Sequence, residues 1–423
     1  MKKLKVIVIG AGNRGGTYTD YMTHMPEKYE VVAVAEPRDS RREYVQKKHN
    51  IPDEMCFDDY KPLLALGKIA DVALIATMDR QHFEPAMMAI DLGYDLLLEK
   101  PITPTPEECI ALTKHANEKG VKVVICTVLR YTFLFDKLKE IIDSGKIGKV
   151  MSINHEECVE FVHQSHSFVR GNWHNSKESS FMLLQKSCHD MDILQWLLGK
   201  KCKKVQSFGS LSYFRKENAP EGAPARCLDG CPVGETCPYN AVKLYLENES
   251  NWFRSAATKL VKSSDEDVKK SLAESNYGKC VFHSNNDVVD HQTVNMLFED
   301  DVTVTFTMNA FNSGGRYINI YGTKGEIRAA LKGDCPIKIY DPVTKETEEI
   351  PCNATDGILG GHGGGDAGII VALYDYMTGN YTGNAVPTIE ESCYNHLITF
   401  AAEHARLTGT VVDVDEFINN LQK

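Results

Sequence analysis

The sequence predicts an α/β fold whose N-terminal part is a parallel sheet with helices on both faces. Residues 6–9 are a continuous run of β-branched apolar residues, too short for a helix and typical of a strand buried on both faces. Further apolar runs lie at residues 31–35, 72–76, 94–98 and 121–125. Between two of these runs, residues 83–92 have helical spacing and stop at Gly93. This alternation predicts βαβ units, which make residues 1–127 one domain of the Rossmann type.

A glycine-rich turn follows the first strand directly, and it predicts a helix that receives phosphate at its N-terminus. In the pattern G-x-G-x-x-G, Gly10 permits the tight turn, Gly12 lets the backbone approach a pyrophosphate, and Gly15 lets the helix pack close to the strand. Asn13 and Arg14 lie between these glycines, where a helix N-terminus favours an anion. The turn therefore predicts a dinucleotide site.

An acidic residue, Glu36, ends the second strand about twenty residues after the glycine turn, which is the spacing that a dinucleotide fingerprint requires. Its carboxylate is placed to accept hydrogen bonds from the ribose hydroxyls of an adenosine and to repel a 2′-phosphate. NAD is therefore favoured over NADP. Arg38 works against this preference, because arginine is the usual partner of a 2′-phosphate.

Polar side chains follow the next two strands, at the edge where a parallel sheet binds its ligands. They are Thr77, Asp79 and His82 after one strand, and Glu99 and Lys100 after the other. We expect these five residues to line the cofactor cleft. Lys100 is the most informative of them, because a cation at this strand end points to the place where cofactor and substrate meet. The alternative is a solvated lysine at a strand end.

Length, charge and cysteine content limit the classes of protein to consider. A chain of 423 residues is too long for one ordinary core, so two domains are expected. The net charge of −11 argues against a nucleic-acid or anionic-membrane partner, and no apolar stretch is long enough to span a bilayer. These features predict a cytoplasmic protein, in which the thirteen cysteines are reduced thiols or metal ligands rather than disulfides.

Several motifs together resemble the Gfo/Idh/MocA family of oxidoreductases. They are the glycine turn, Thr77 to Asp79 with His82, the Glu99-Lys100-Pro101 element, Cys188 to Asp192, and the glycines before Asp366. The resemblance covers nearly the whole chain except an insertion at about 214–285. It implies a Rossmann domain and, over residues 128–423, a substrate-binding and oligomerisation α/β domain with a large, mostly antiparallel sheet. It also implies a homo-oligomer, a dimer or a tetramer.

The resemblance further implies hydride transfer between a nicotinamide and a hydroxyl of a sugar, sugar acid or cyclitol. Such chemistry needs a base for the hydroxyl proton, and His189 is the candidate because the pKa of histidine lies near neutrality. Lys100 would stabilise the developing negative charge on the same oxygen. Asp192 lies three residues after His189, so one helix face would carry both and the carboxylate could orient the ring. The alternative for His189 is a purely structural hydrogen bond.

The sequence departs from the family pattern four residues before His189. The family carries an aspartate there, whereas this chain has Gln185, which cannot relay a proton, followed by Lys186. Two interpretations stay open for Lys186. Either it is a second substrate-binding cation, suited to an acidic sugar, a phosphate or a polyol, or it points away from the cleft and is inert.

A second group of candidates could contact the substrate. Arg170, Trp173 and His174 form a loop in which the arginine could anchor an anion and the indole could stack on a sugar face. The alternative for Trp173 is that it covers the edge of the core. His291 precedes a strand and could be a ligand group, although most such residues are simply solvated.

The insertion holds a cysteine motif of spacing C-x3-C-x5-C, formed by Cys227, Cys231 and Cys237. Tight loops of this kind bring thiolates around one metal, and Cys280 could supply a fourth ligand. Structural zinc is the first candidate for this metal and an iron–sulfur cluster the second, and the alternative to both is a loop of free thiols. We also expect the charged, Ser-rich segment 249–278 to be too polar to form a core of its own.

The sequence leaves two other functions open beside an NAD-dependent dehydrogenase. One is an NAD-dependent glycosidase that oxidises its sugar transiently and keeps its nucleotide tightly bound. The other is a dinucleotide sensor without catalytic activity, which would signal through the exposed face of its sheet.

Overall fold

A computed structural model describes residues 3–248, 250–352 and 361–421. Its first sheet consists of β1 (Leu4–Ile9), β2 (Tyr29–Ala35), β3 (Cys56–Phe57), β4 (Val72–Ile75), β5 (Asp95–Leu98) and β6 (Val123–Ile125). The strand order is β3-β2-β1-β4-β5-β6, and every pair is parallel. The predicted parallel sheet is confirmed. Its order reverses beside β1, and the crevice at such a reversal is where sheets of this type bind ligands.

Among the described residues, five helices alternate with the strands of this sheet. They are α1 (Asn13–Met22), α2 (Asp39–His49), α3 (Tyr60–Leu64), α4 (Phe83–Asp91) and α5 (Pro106–Lys119). Alternate residues of β1 enter the cores on the two faces: Ile7 and Ile9 belong to one apolar cluster, and Val6 and Val8 to the other. All four are at most 1 % exposed, as expected for a strand covered by helices on both sides.

The second sheet has nine strands among the described residues. They are β7 (Val150–Cys158), β8 (Cys202–Ser210), β9 (His291–Phe298), β10 (Thr303–Asn309), β11 (Gly315–Gly322), β12 (Glu326–Leu331), β13 (Ile337–Tyr340), β14 (Thr347–Ile350) and β15 (Val412–Asp413). The order is β14-β13-β12-β11-β7-β10-β9-β8-β15, and only β7 and β10 pair in parallel. The expected large, mostly antiparallel sheet is therefore confirmed.

The remaining helices are α6 (Phe133–Asp143), α7 (Phe161–His163), α8 (Met182–Gln185), α9 (Cys188–Leu198), α10 (Asn251–Thr258), α11 (Asp265–Glu274), α12 (Gly365–Met377), α13 (Ile389–Thr408) and α14 (Val414–Leu421). A π-helix, Gln164–Arg170, continues α7. Helix α12 returns to the first sheet, where Ile370 enters the same core as Val6 and its carbonyl accepts the Tyr29 hydroxyl at 2.6 Å. No helix in the described part of the chain is long and apolar enough to cross a membrane.

The insertion leaves the second sheet between β8 and β9 and carries α10 and α11. The described part of segment 249–278 does not pack alone, because it shares one apolar cluster with Ala241, Leu244 and Tyr245 earlier in the insertion. Tyr245, Val268, Leu272 and Tyr277 are at most 6 % exposed and form one apolar cluster with their neighbours. Few apolar residues suffice here, because two of them are large aromatics whose rings lie 5.5 Å apart.

Candidate active site

The glycine turn has the shape that a dinucleotide needs. At Gly10, where φ is +89°, an added Cβ would lie 2.6 Å from the carbonyl oxygen of Ala76, and at Gly15 it would lie 2.1 Å from that of Gly10. Both positions therefore exclude any side chain. At Gly12, in contrast, an added Cβ meets nothing within 4 Å, so open space lies before the N-terminus of α1. No described side chain caps this terminus, so its N–H groups fit a pyrophosphate.

Glu36 lies directly after β2, beside the glycine turn. Its buried carboxylate accepts the backbone N–H of Ala11 at 2.8 Å, which ties it to the glycine turn, and the backbone N–H of Arg38 at 3.1 Å. The Arg38 side chain is also paired with it at 2.9 Å. The acidic residue type that favours NAD, Glu36, is thus paired with the basic type that favours NADP, Arg38.

Arg14 does not point at the phosphate site. Its guanidinium contacts Glu99 at 2.8 Å, Asp366 at 2.6 Å and the Tyr18 hydroxyl at 2.5 Å. Burial alone would raise the pKa of Glu99, but Arg14 and Lys100 outweigh burial and lower the pKa. The expected phosphate contact is replaced by a partly buried ion cluster, because the carboxylates of Glu99, directly after β5, and Asp366, on α12, compete for the guanidinium.

Thr77, Asp79 and His82 contact protein groups rather than the open cleft. The His82 ring bridges two loops, with one nitrogen 2.7 Å from the carbonyl oxygen of Pro101 and the other 3.1 Å from that of Thr77. The Asp79 carboxylate accepts the indole N–H of Trp173 at 3.2 Å and the hydroxyls of Ser179 and Ser180 at 2.8 Å. Thr77 donates its own hydroxyl to the carbonyl of Gln81. These side chains brace the cleft wall, and Asp79 joins it to the second domain.

Lys100 and His189 lie close together where the two domains meet. The Lys100 ammonium donates to the backbone carbonyl of Gln185 at 2.8 Å, at the end of α8 and just before α9 begins. His189 is in the first turn of α9 and is 6 % exposed. Burial is the main cause that lowers its pKa well below 6.5, and Lys100 is the next. Its Nδ1 is buried without a hydrogen-bond partner among the described residues, so a neutral imidazole faces a cation.

A charged network extends this pair toward β7 and β11. Asp190 accepts hydrogen bonds from Arg316 and from His155, each at 2.8 Å. Burial opposes its ionisation, but Arg316 and His155 lower its pKa to about 2. Arg316 also pairs with Glu157 at 2.6 Å. Strand alternation puts His155 and Glu157 on one face of β7, and both are buried, whereas nothing in the local pattern singles out Arg316 on β11.

Lys186 belongs to the same network. Its ammonium lies 3.3 Å from Glu157, its side chain is 16 % exposed, and burial lowers its pKa. The interpretation that it points away from the site is therefore wrong. Gln185, beside it, contributes its backbone carbonyl to Lys100, so the absence of an acid at position 185 leaves that hydrogen bond intact.

His362 closes the site from the turn before α12. One nitrogen of its ring lies 3.0 Å from Asp366, and the ring centre is 6.3 Å from that of His189. Burial lowers the pKa of His362, although Asp366 opposes this shift. The site thus combines residues from β5, α9 and the turn before α12.

Asp192 does not orient His189. Its carboxylate accepts two hydrogen bonds from Arg130, both at 2.7 Å, and one from Asn395 at 2.7 Å. Arg130 and Asp192 are each 1 % exposed. Helix spacing allowed Asp192 to share a face with His189, but a buried guanidinium is the stronger partner for a carboxylate.

The side chains of the predicted substrate loop mostly contact other parts of the protein. Arg170 donates to the backbone carbonyls of Lys279 at 2.7 Å and Tyr239 at 2.6 Å, so it fastens the insertion instead of anchoring a substrate anion. The Trp173 indole packs at the edge of the core, and one ring nitrogen of His174 contacts the Gly171 carbonyl at 2.7 Å. The half-exposed His291 pairs with Asp290 at 2.8 Å.

The four cysteines of the insertion surround one cavity but do not form the predicted metal site. Cys227, Cys231, Cys237 and Cys280 line a space of about 20 Å³, enough for about one water molecule. Within the described ranges, however, no three Cys, His, Asp or Glu side chains are arranged to hold a metal ion. The Arg170 guanidinium lies 3.7 Å from the Cys227 sulfur, and its positive charge would repel a metal cation at this position.

Both parts of the chain match models of one family. Residues 4–127 match the NAD-binding Rossmann fold of the GFO_IDH_MocA oxidoreductase family, and residues 139–414 match its C-terminal alpha/beta domain. The chain belongs to this family of oxidoreductases, as its motifs indicated.

Named relatives agree with this assignment. The oxidoreductase YteT of Bacillus subtilis is 24% identical over 378 residues, 84% of each chain. Inositol 2-dehydrogenase of Corynebacterium glutamicum is 23% identical over 206 residues, which are 48% of this chain and 57% of the relative. The structure of scyllo-inositol dehydrogenase from Lactobacillus casei, with bound NAD(H) and scyllo-inositol, superposes with a TM-score of 0.66 at 16% identity. It covers 98% of this chain and 100% of that chain.

Proposed function

We propose that this protein is a dehydrogenase that transfers hydride between a nicotinamide cofactor and a hydroxyl-bearing carbon of a sugar, sugar acid or cyclitol. The observation that carries the proposal is a neutral, buried His189 beside the Lys100 ammonium, at the mouth of a dinucleotide sheet. Relatives named inositol 2-dehydrogenase support the substrate class. The buried Glu36 carboxylate at the ribose position favours NAD over NADP.

The roles of the two central residues follow from their charge states. A bound nicotinamide supplies the hydride acceptor. Lys100 donates a hydrogen bond to the substrate oxygen and stabilises its negative charge as the proton leaves. His189 accepts that proton, because its lowered pKa keeps the ring unprotonated at neutral pH. Lys100 therefore contributes twice, at the oxygen directly and by keeping His189 neutral.

The network around Asp190 suits a substrate with several hydroxyls or a carboxylate. Lys186 and Arg316 bring donors to the site, and the Glu157 carboxylate forms an ion pair with each of them. Hydroxyl groups can exchange hydrogen bonds with such mixed donors and acceptors, whereas an apolar substrate offers none. We therefore assign Lys186 to substrate binding.

We also propose that the protein forms homo-oligomers through the open face of the second sheet. Phe208 is 58 % exposed on β8, and Asn295 on β9 is exposed beside the same face. Light scattering during size-exclusion chromatography tests this, and a monomer at micromolar concentration would contradict it.

The test of the dehydrogenase is a panel of sugars, sugar acids and cyclitols with NAD, read by NADH absorbance. For whichever compound is oxidised, Lys100→Met should lower turnover by about a hundredfold or more. NADH affinity should change less than about threefold. Lys114→Met is the matched control, because Lys114 is an exposed lysine of the same domain. Turnover that survives Lys100→Met would contradict the assignment, and NADH binding without any turnover would favour a sensor.

A further inference from the structure

Helix α10 of the insertion is fastened to the cofactor domain by one buried arginine. Arg41, on α2, is 6 % exposed and uses all three of its nitrogens. Its Nε and one terminal nitrogen donate to the carbonyls of Lys259 and Ser255, each at 3.2 Å, at the C-terminal end of α10. Its other terminal nitrogen donates to the Asn13 side chain at 3.1 Å. One guanidinium thus joins the insertion to the first residue of α1.

This junction lies at the nucleotide end of the cleft. Asn13 follows Gly12, where open space precedes the N-terminus of α1. Burial lowers the pKa of Arg41, nearby Arg38 lowers it further, and Glu36 opposes the shift. The guanidinium therefore lies near both the phosphate turn and the carboxylate that faces the ribose.

The other end of α10 rests on the π-helix of the second domain. The Trp252 ring lies 4.8 Å from that of His166 and 5.3 Å from that of His163, and Phe253 lies 5.0 Å from His166. The Ser271 hydroxyl of α11 also donates to the Ala257 carbonyl at 2.7 Å. Helix α10 therefore crosses from one domain to the other and is held at both ends.

We infer that α10 is the outer wall of the nucleotide site, that it must move away for the cofactor to enter or leave, and that Arg41 is the positioning residue that holds it closed. The inference rests on the proposed function only in that a nicotinamide dinucleotide occupies the cleft. Its consequence is a slow exchange of cofactor, which then limits turnover in place of hydride transfer. A retained nucleotide is also what the alternative glycosidase requires.

Rapid-mixing fluorescence with NADH tests this inference without any substrate. A wall that opens and closes slows entry and exit alike. In Arg41→Ala the association and dissociation rates should therefore both rise about tenfold or more, while Kd stays within about threefold. Arg41→Lys keeps the charge but loses the planar fork, so it should show the same effect to a smaller degree and serves if the alanine variant does not fold. Lys47→Ala, at an exposed site on the same helix, is the control.

Rates that do not respond to either Arg41 variant would overturn the inference. A rise in dissociation alone, with association unchanged, would overturn it too, because Arg41 would then be a direct contact of the nucleotide. A wild-type protein that bound no NADH would overturn the proposed function and this inference with it. NADH association and dissociation rates that did not change in the Arg41 variants would overturn this inference alone and would not affect the proposed dehydrogenase activity.

Discussion

Replacing Asp192 with alanine should destabilise the fold rather than act on the catalytic histidine. The Asp192 carboxylate and the Arg130 guanidinium are joined by two hydrogen bonds of 2.7 Å, and their side chains are 2 % and 1 % exposed. Removing one partner leaves a buried charge uncompensated, which costs roughly 3–5 kcal/mol. We therefore expect the free energy of unfolding of Asp192→Ala to fall by about that amount. Glu118→Ala, which breaks an exposed pair with Lys114, should change it by less than about 0.5 kcal/mol.

Urea unfolding is the assay, followed by circular dichroism and by tryptophan fluorescence. Arg130 lies 5.4 Å from the Trp196 ring, so one of the three tryptophans in the chain is next to this pair. The double variant Arg130→Met with Asp192→Leu should recover much of the lost stability, because a hydrophobic pair leaves no buried charge. A single variant that kept its stability but lost kcat would refute this reasoning and restore Asp192 as a partner of His189.

Two further predictions concern the cofactor turn and acid stability. Gly15→Ala should abolish NADH binding in a fluorescence titration, because the added Cβ would lie 2.1 Å from a carbonyl oxygen. Gly16→Ala is the control and should bind NADH normally, because an added Cβ there meets nothing within 4 Å. Equal binding by the two variants would contradict the assignment of this turn to the dinucleotide. Burial lowers the pKa of His166 to about 3 and of His396 to about 4, from 6.5 in the unfolded chain. The contribution of these neutral histidines to the free energy of unfolding is therefore complete above pH 6.5 and is lost as the pH falls below 6.5. Urea unfolding at about pH 5 should show that the free energy of unfolding has fallen by roughly 2 kcal/mol for each histidine. A free energy of unfolding that stayed constant down to that pH would contradict this prediction.

The parts of the fold that sequence predicted are those fixed by local patterns. Strand β1 is a run of β-branched residues, and the glycine turn obeys steric rules that hold wherever a strand meets a helix, so both were visible in the chain. The end of a strand pointed to Lys100. The family resemblance supplied the second sheet and pointed to His189, and the structure brings the two residues together.

The errors over Asp192 and Arg170 share one physical cause, which is a partner distant in sequence. Asp192 was assigned by helix spacing, but Arg130 lies 62 positions away and takes its carboxylate. Arg170 was assigned to a substrate anion, yet its partners are carbonyls 69 and 109 positions later, inside the insertion. Arg316 was not predicted as a site residue, because an arginine on a strand of alternating residues belongs to no recognisable sequence motif. Periodicity shows which face a residue occupies, not which buried charge will pair with it.

The most direct test of the proposed chemistry is the pH profile of kcat/KM for substrate oxidation, in the wild type and in His189→Gln. A base whose pKa lies well below 6.5 stays unprotonated throughout the neutral range. We expect wild-type kcat/KM to stay level as the pH falls past 6.5, and His189→Gln to lose about a hundredfold or more while binding NADH normally. An acidic limb at or above pH 6.5, or a glutamine variant with nearly full activity, would contradict the assignment of His189 as the proton acceptor.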